Sequence, residues 1–167
     1  MKRILAVDIN DCTGCRICEL ICAFEKGEGC NPAKGRIKII KADESGVDVP
    51  AICQHCEDPA CQDVCPVEAI QRDSGTGAVL LEEDICTGCK ACASVCPYGA
   101  ITMDTDRGVM VKCDLCHGNP QCVEFCPKGA LAYERPDVIE ARRREKKYKR
   151  IINAARKARD EDRRPKD

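Results

Sequence analysis

The chain has 167 residues, room for one domain or two small ones, and its seventeen cysteines, two Phe, three Tyr and no Trp exclude an ordinary interior built of large apolar side chains. The formal net charge is −1 but is unevenly spread: residues 1–135 carry 14 Lys and Arg against 21 Asp and Glu, and residues 136–167 carry 13 against 7. No run approaches the ~18 consecutive apolar residues of a spanning helix. The opening MKRILAVDINDC has too short an apolar run for a secretory signal and no twin-arginine pair. The expectation is a cytoplasmic protein, in a reducing compartment where a disulfide framework is disfavoured. The odd cysteine count agrees with that.

In chain order, the first feature is CTGCRICELIC, with Cys12, Cys15, Cys18 and Cys22. Cys30 stands alone, and RIKII at 36–40 reads as a strand. A second group, CQHCEDPACQDVCP, holds Cys53, Cys56, Cys61 and Cys65. The stretch AIQRDSGTGAVLLEED then reads as apolar start, Gly/Ser turn and short strand. A third group, CTGCKACASVCP, holds Cys86, Cys89, Cys92 and Cys96, and AITMDTDRGVMV repeats the strand–turn–strand plan. The fourth group, CDLCHGNPQCVEFCP, holds Cys113, Cys116, Cys122 and Cys126.

Groups one and three have the spacing C-x2-C-x2-C-x3-C, which suits a cubane 4Fe–4S cluster. Three thiols two residues apart wrap three corners of one cube, and the intervening backbone turns its N–H groups toward the sulfides. Gly14 and Gly88 let that backbone approach closely. Pro66, Pro97 and Pro127 follow the fourth cysteine in three groups, and Ala23 stands there in group one. In groups two and four the third gap widens to four and five residues, with Pro59 and Pro120 two places before the third cysteine. These insertions read as local loops. Zinc, which favours paired C-x2-C, fits a third cysteine at x2 and a fourth at x3-Pro poorly. Four clusters need sixteen thiolates, and the groups supply sixteen, with Cys30 not a ligand. His55 and His117 read as hydrogen-bond donors near a cluster edge rather than as ligands, and Cys30 as a buried or half-buried thiol rather than a redox sensor.

The motifs CTGCRICELIC, CQHCEDPACQDVCP, CTGCKACASVCPYGA and KCDLCHGNPQCVEFCPKGAL resemble the four-cluster iron–sulfur subunits of the dimethyl sulfoxide reductase iron–sulfur subunit family. The chain is similar in size and look to the small iron–sulfur subunit of tungsten aldehyde oxidoreductases. The resemblance covers about residues 1–135 and implies four sets of ligands. Cys86, Cys89 and Cys92 with Cys65 hold one cluster, and Cys53, Cys56 and Cys61 with Cys96 hold its mate. Cys12, Cys15 and Cys18 with Cys126 hold a third, and Cys113, Cys116 and Cys122 with Cys22 the fourth. Some relatives replace a ligand of the fourth group and hold a three-iron cluster. This chain keeps all its thiols there, so four cubanes are expected.

The expected fold is α+β: two interlocked ferredoxin-like double-cluster units with clusters as the core. The four-cluster domain covers 1–135, its inner unit about 50–105 and its outer unit about 1–49 with 106–135. A basic helical tail covers 136–167, starting at Pro136 and Asp137. Val138, Ala141, Tyr148, Ile151, Ile152, Ala155 and Ala158 fall near one face of it. One helix cannot bury that stripe alone, so the tail reads as a docking element for a partner or for another copy through 137–167.

No catalytic acid, base or dinucleotide fingerprint is visible. The expected role is non-catalytic: relaying single electrons between a large tungsten or molybdenum pterin-containing catalytic subunit and a second redox subunit, such as a flavin-bearing one. No nucleic acid and no membrane span are expected. A free polyferredoxin, or a small subunit of a hydrogenase or carbon monoxide dehydrogenase system, is the alternative. A zinc-stapled module with a nucleic-acid-binding tail is a more distant one.

Overall fold

The structure, a computed structural model, describes residues 3–162 apart from 28, 43 and 45. The end of the expected tail, 163–167, lies outside the described residues.

Among the described residues the strands form four antiparallel two-stranded ribbons. β1 (Ile4–Val7) pairs with β8 (Leu131–Glu134), Ile4 opposite Glu134 and Val7 opposite Leu131. β2 (Lys38–Ala42) pairs with β3 (Val47–Ala51). β4 (Ile70–Arg72) pairs with β5 (Val79–Leu81), and β6 (Ile101–Asp104) with β7 (Val109–Lys112). The last two are the hairpins that the Gly/Ser and Asp–Arg–Gly turns predict. Both close the same way: the Gly77 N–H donates to the Asp73 carbonyl and the Gly108 N–H to the Asp104 carbonyl. Both glycines have positive φ, which a side chain would oppose. The strand expected at 36–40 starts two residues later.

Three short helices each carry the third cysteine of a group: α2 (Ala60–Asp63), α3 (Ala91–Val95) and α4 (Gln121–Glu124). Pro66, Pro97 and Pro127 stand just beyond them, where a ring without a donor stops the turn. α1 (Ile17–Glu25) lacks that stop. Ala23 lets it run three residues past Cys22, to a length of nine, and is itself fully buried. α1 packs on α4, and α2 on α3.

Two cores result. The outer one joins Leu5, Ile37, Ile39, Ile52, Leu115 and Leu131 around Cys18 and Cys122. The inner one joins Ile70, Val79, Ile101 and Met110 around Cys92. Each full burial of an Ile, Val or Met contributes about 1.5–3 kcal/mol, but both cores are small and lined with thiols. Arg36 ties them together, reaching Glu83 in the inner region and Asp114 in the outer one.

The final helix, α5 (Pro136–Asp162), begins where Pro136 and Asp137 suggest. Its attachment differs from the predicted stripe. Ile139, outside that stripe, is the buried residue of α5, while Tyr148, Ile151 and Ile152 remain about half exposed or more. The side turned to the body is ionic instead. Lys146 reaches Asp8 and Asp11, Arg150 reaches Asp11, and Arg142 reaches Glu134. Arg143 donates to the Val7 carbonyl. No helix is long and apolar enough to cross a membrane among the described residues.

Candidate metal centres

The four cysteine groups share one local turn. The residue before the second cysteine has a left-handed backbone each time: Gly14 (φ 61), His55 (φ 46), Gly88 (φ 66) and Leu115 (φ 58). In groups one and three glycine adopts this without strain, and space is tight there. A Cβ on Gly14 would strike the Asp48 carboxylate, and one on Gly88 the Gly108 carbonyl oxygen. In groups two and four a buried side chain holds the same backbone in place. Leu115 fills the outer core. His55 Nδ1 accepts from the Val79 N–H at 3.0 Å, so the proton of its neutral ring sits on Nε2. His55 therefore braces β5 through an accepting nitrogen, where the sequence suggested a donor. His117 is exposed.

Cys12, Cys15 and Cys18 meet Cys126, from the far end of the body, around one pocket that opens partly to solvent. Ile17, Ile39, Pro127 and Leu131 complete its wall. In the fourth group, burial pushes the Cys122 thiol far up, and Cys113, Cys22, Cys116 and Cys18 add to the push as neighbouring charges. Cys22 thus enters the set of Cys113 and Cys116 from α1. In the second group Cys61 is raised by burial and by Cys53 and Cys96. In the third, burial pushes Cys92 up to about 11, with Cys86, Cys61 and Cys89 contributing. Burial likewise pushes Cys18 and Cys113 up to about 12. Without metal these thiols hold their protons, so binding iron releases them.

Backbone donors face several sulfurs. Arg36 N–H donates to Cys22 Sγ at 3.2 Å, and Ala69 N–H to Cys65 Sγ at 3.3 Å. Met110 N–H donates to Cys86 Sγ and Leu115 N–H to Cys113 Sγ, both at 3.4 Å. Such bonds stabilise thiolate charge and raise a bound cluster's potential. They come from β7 and the stretch before β2 as well as from the groups themselves, which spacing alone cannot reveal.

A tetrahedral zinc would draw four sulfurs to about 2.3 Å from one point. Among the described residues no three or more His, Cys, Asp or Glu side chains close on a single ion. The first set instead rings a pocket with soft donors on its wall, which fits a cluster. Cys30 is exposed, which corrects the buried or half-buried placement. It follows Gly27 and Gly29 in a segment that contributes no side chain to either core.

These are the features of a ferredoxin-like α+β iron–sulfur protein. Residues 46–136 match the 4Fe-4S dicluster domain, and residues 9–25 a 4Fe-4S binding domain. The chain belongs to the 4Fe-4S dicluster family and carries multiple 4Fe–4S clusters. It is 42% identical over 104 residues to an uncharacterized ferredoxin of Methanocaldococcus jannaschii, covering 62% of this chain and 56% of that protein. It is 37% identical over 119 residues to a probable anaerobic dimethyl sulfoxide reductase chain of Escherichia coli K12, covering 64% and 58%. The chain thus spans little more than half the length of these relatives. Among solved structures, the active-site complex BamBC of benzoyl coenzyme A reductase aligns with a TM-score of 0.46 at 25% identity, covering 78% of this chain and 75% of that one.

Proposed function

We propose that the chain is a non-catalytic electron-transfer subunit holding four 4Fe–4S clusters. The ligand sets are Cys12, Cys15, Cys18 and Cys126; Cys113, Cys116, Cys122 and Cys22; Cys53, Cys56, Cys61 and Cys96; and Cys86, Cys89, Cys92 and Cys65. When bound, each cluster accepts and releases one electron. The chain's own part is to hold the sites close and shielded in series.

The observation that carries this reading is the contact between units. β7, which leads directly into Cys113, packs on β5 of the inner unit. Lys112 bridges the Val79 and Cys113 carbonyls, and Arg36 bridges Glu83 and Asp114, which supports sites lying in one file rather than as two isolated pairs. The inner unit covers about 50–105, with β7 packed against it, and the outer unit covers about 1–49 with 106–135. The dimethyl sulfoxide reductase chain supports a catalytic partner, and we assign a large molybdenum or tungsten pterin subunit to that place, with a second redox subunit beyond. The tail, 136–167, is the docking element. Its ionic side is satisfied by the body, and Tyr148 and Ile152 remain open to a partner.

The test is iron and acid-labile sulfide per chain on anaerobically purified native protein, with co-purifying chains identified on the same sample. About sixteen of each with a large pterin-bearing partner is expected. Iron near eight, or zinc in its place, overturns the four-cluster reading. The likeness to a ferredoxin favours one second reading, a free carrier, for which the full iron content would come without a partner.

A further inference from the structure

Among the described residues, four polar or charged side chains other than cysteines are buried: Glu19, His55, Asp104 and Lys112. Asp104 is paired with Lys34 and Arg107, and His55 braces β5. Lys112 has no carboxylate partner among the described residues, and the ionic partner of Glu19 is half exposed.

Lys112 closes β7, one residue before Cys113, and is 2% exposed. Its ammonium donates to the carbonyl of Val79 and, at 3.3 Å, to that of Cys113. Among the described residues no carboxylate pairs with it, although Lys26, Lys34 and Arg36 in the same region all have one. An ammonium taken out of water costs several kcal/mol unless negative charge faces it. What surrounds Lys112 is thiol: Val79, whose carbonyl takes the ammonium, belongs to the buried cluster on which Cys61 and Cys96 pack, and the second carbonyl is that of Cys113. The ammonium therefore lies where the inner set meets Cys113.

Glu19 is the opposite case. It is 4% exposed, one residue after Cys18. It accepts the Ile39 N–H at 2.6 Å, and its ionic partner, Arg16, is half exposed at 3.6 Å. Its charge acts upward on Cys18.

We propose that Lys112 and Glu19 are the fixed charges that separate the cluster potentials. Lys112 raises the potential of the site held by Cys53, Cys56, Cys61 and Cys96, and Glu19 lowers that of the site held by Cys12, Cys15, Cys18 and Cys126. The proposal rests on the four-cluster reading above. The physical step is simple. Reduction adds one electron and no atom, so a nearby buried cation stabilises the reduced form and a nearby buried anion opposes it. Both residues act through the sites they flank, as positioning charges on the file of clusters. The junction of the two units becomes the place where an electron rests, and the outer end the place it leaves most readily.

The experiment is a potentiometric titration followed by electron paramagnetic resonance on the full chain, with iron and sulfide measured on every sample. Lys112→Met is expected to lower one midpoint by a factor of ten or more in the reduction equilibrium, about 59 mV for one electron. Glu19→Gln, which keeps the acceptor for Ile39, is expected to raise a different midpoint, and Lys112→Arg to leave all midpoints within threefold. Unchanged midpoints in Lys112→Met at full iron overturn the proposal, as do two neutralisations that move potentials the same way. If Lys112→Met loses iron, Lys112→Gln decides: full iron with the same tenfold drop supports the proposal, and full iron with unmoved midpoints overturns it. Iron well below sixteen in the unaltered chain counts against the four-cluster reading alone.

Discussion

The outer and inner units hold the same kind of site but close in different ways. The outer unit joins β1 at residues 4–7 to β8 at residues 131–134, and borrows Cys126 for the site that Cys12 opens. The inner core is built on two hairpins, each spanning twelve residues, 70–81 and 101–112, the second running past the expected unit boundary at 105. Closing a long loop costs entropy before any contact rewards it, whereas a hairpin forms locally. Ligation thus plays unequal roles. On the proposed ligand sets, ligation in the inner unit fills a frame of local hairpins, and in the outer unit it ties the two ends of the body together.

The largest expected effect comes from removing the closing ligand on each side. Cys126→Ala and Cys96→Ala should each take iron from about sixteen toward about twelve per chain. Only Cys126→Ala should also expose β1 and β8 to amide hydrogen exchange. Equal exchange in β4–β7 and in β1–β8 for both variants would abolish the distinction.

Next comes the residue after the fourth cysteine. Ala23→Pro places a ring inside α1, at a fully buried position, and should cost about 3 kcal/mol or more in anaerobic denaturant unfolding. The reverse change in the inner unit, Pro97→Ala, falls beyond the end of α3 and should stay within about 1 kcal/mol.

The two glycines sharpen the comparison further. Both Gly14→Ala and Gly88→Ala must accept a left-handed backbone, at about 1–2 kcal/mol. At Gly14 the obstructing group is the Asp48 side chain, which can swing away, whereas at Gly88 it is the backbone oxygen of Gly108. Thermal bleaching of the visible absorbance should therefore show the larger loss for Gly88→Ala.

The smallest effect is ionic. Lys146 and Arg150 hold α5 to Asp8 and Asp11 through partly exposed pairs, each contributing no more than about 1 kcal/mol. Lys146 holds the Asp8 carboxyl below its usual range even though burial acts to raise it. This contribution is present above the ordinary carboxylate range and fades as pH falls through the depressed value. Raising salt toward 1 M, where screening acts over about 3 Å, should speed exchange at 139–150 and leave the inner hairpins unchanged.

The parts of this organisation visible in the chain are those with local chemistry. The cysteine spacings, the two Gly-closed hairpins and the start of α5 all depend on neighbours within a dozen residues. β1 and β8 were not legible: ILAV and LAYE are too short for any period, and their pairing depends on residues more than a hundred positions away. β3 was hidden by Pro50, which sits opposite Ile39. The role of His55 was within reach, because aligning CQHC with CTGC puts it in the glycine position, where a large residue must be anchored. Ile139 escaped because the helix periodicity pointed to the wider stripe opposite, which the body leaves open.

α5 has one further consequence. Its 27 residues make a rod of about 40 Å, and among the described residues its ion pairs with the body end at Arg150. Some twelve residues, about 18 Å, therefore stand clear as a handle. A partner that grips this overhang would pull on the body through Ile139 and the ionic contacts at Arg142, Lys146 and Arg150. It could tilt the body toward or away from a donor without touching a ligand.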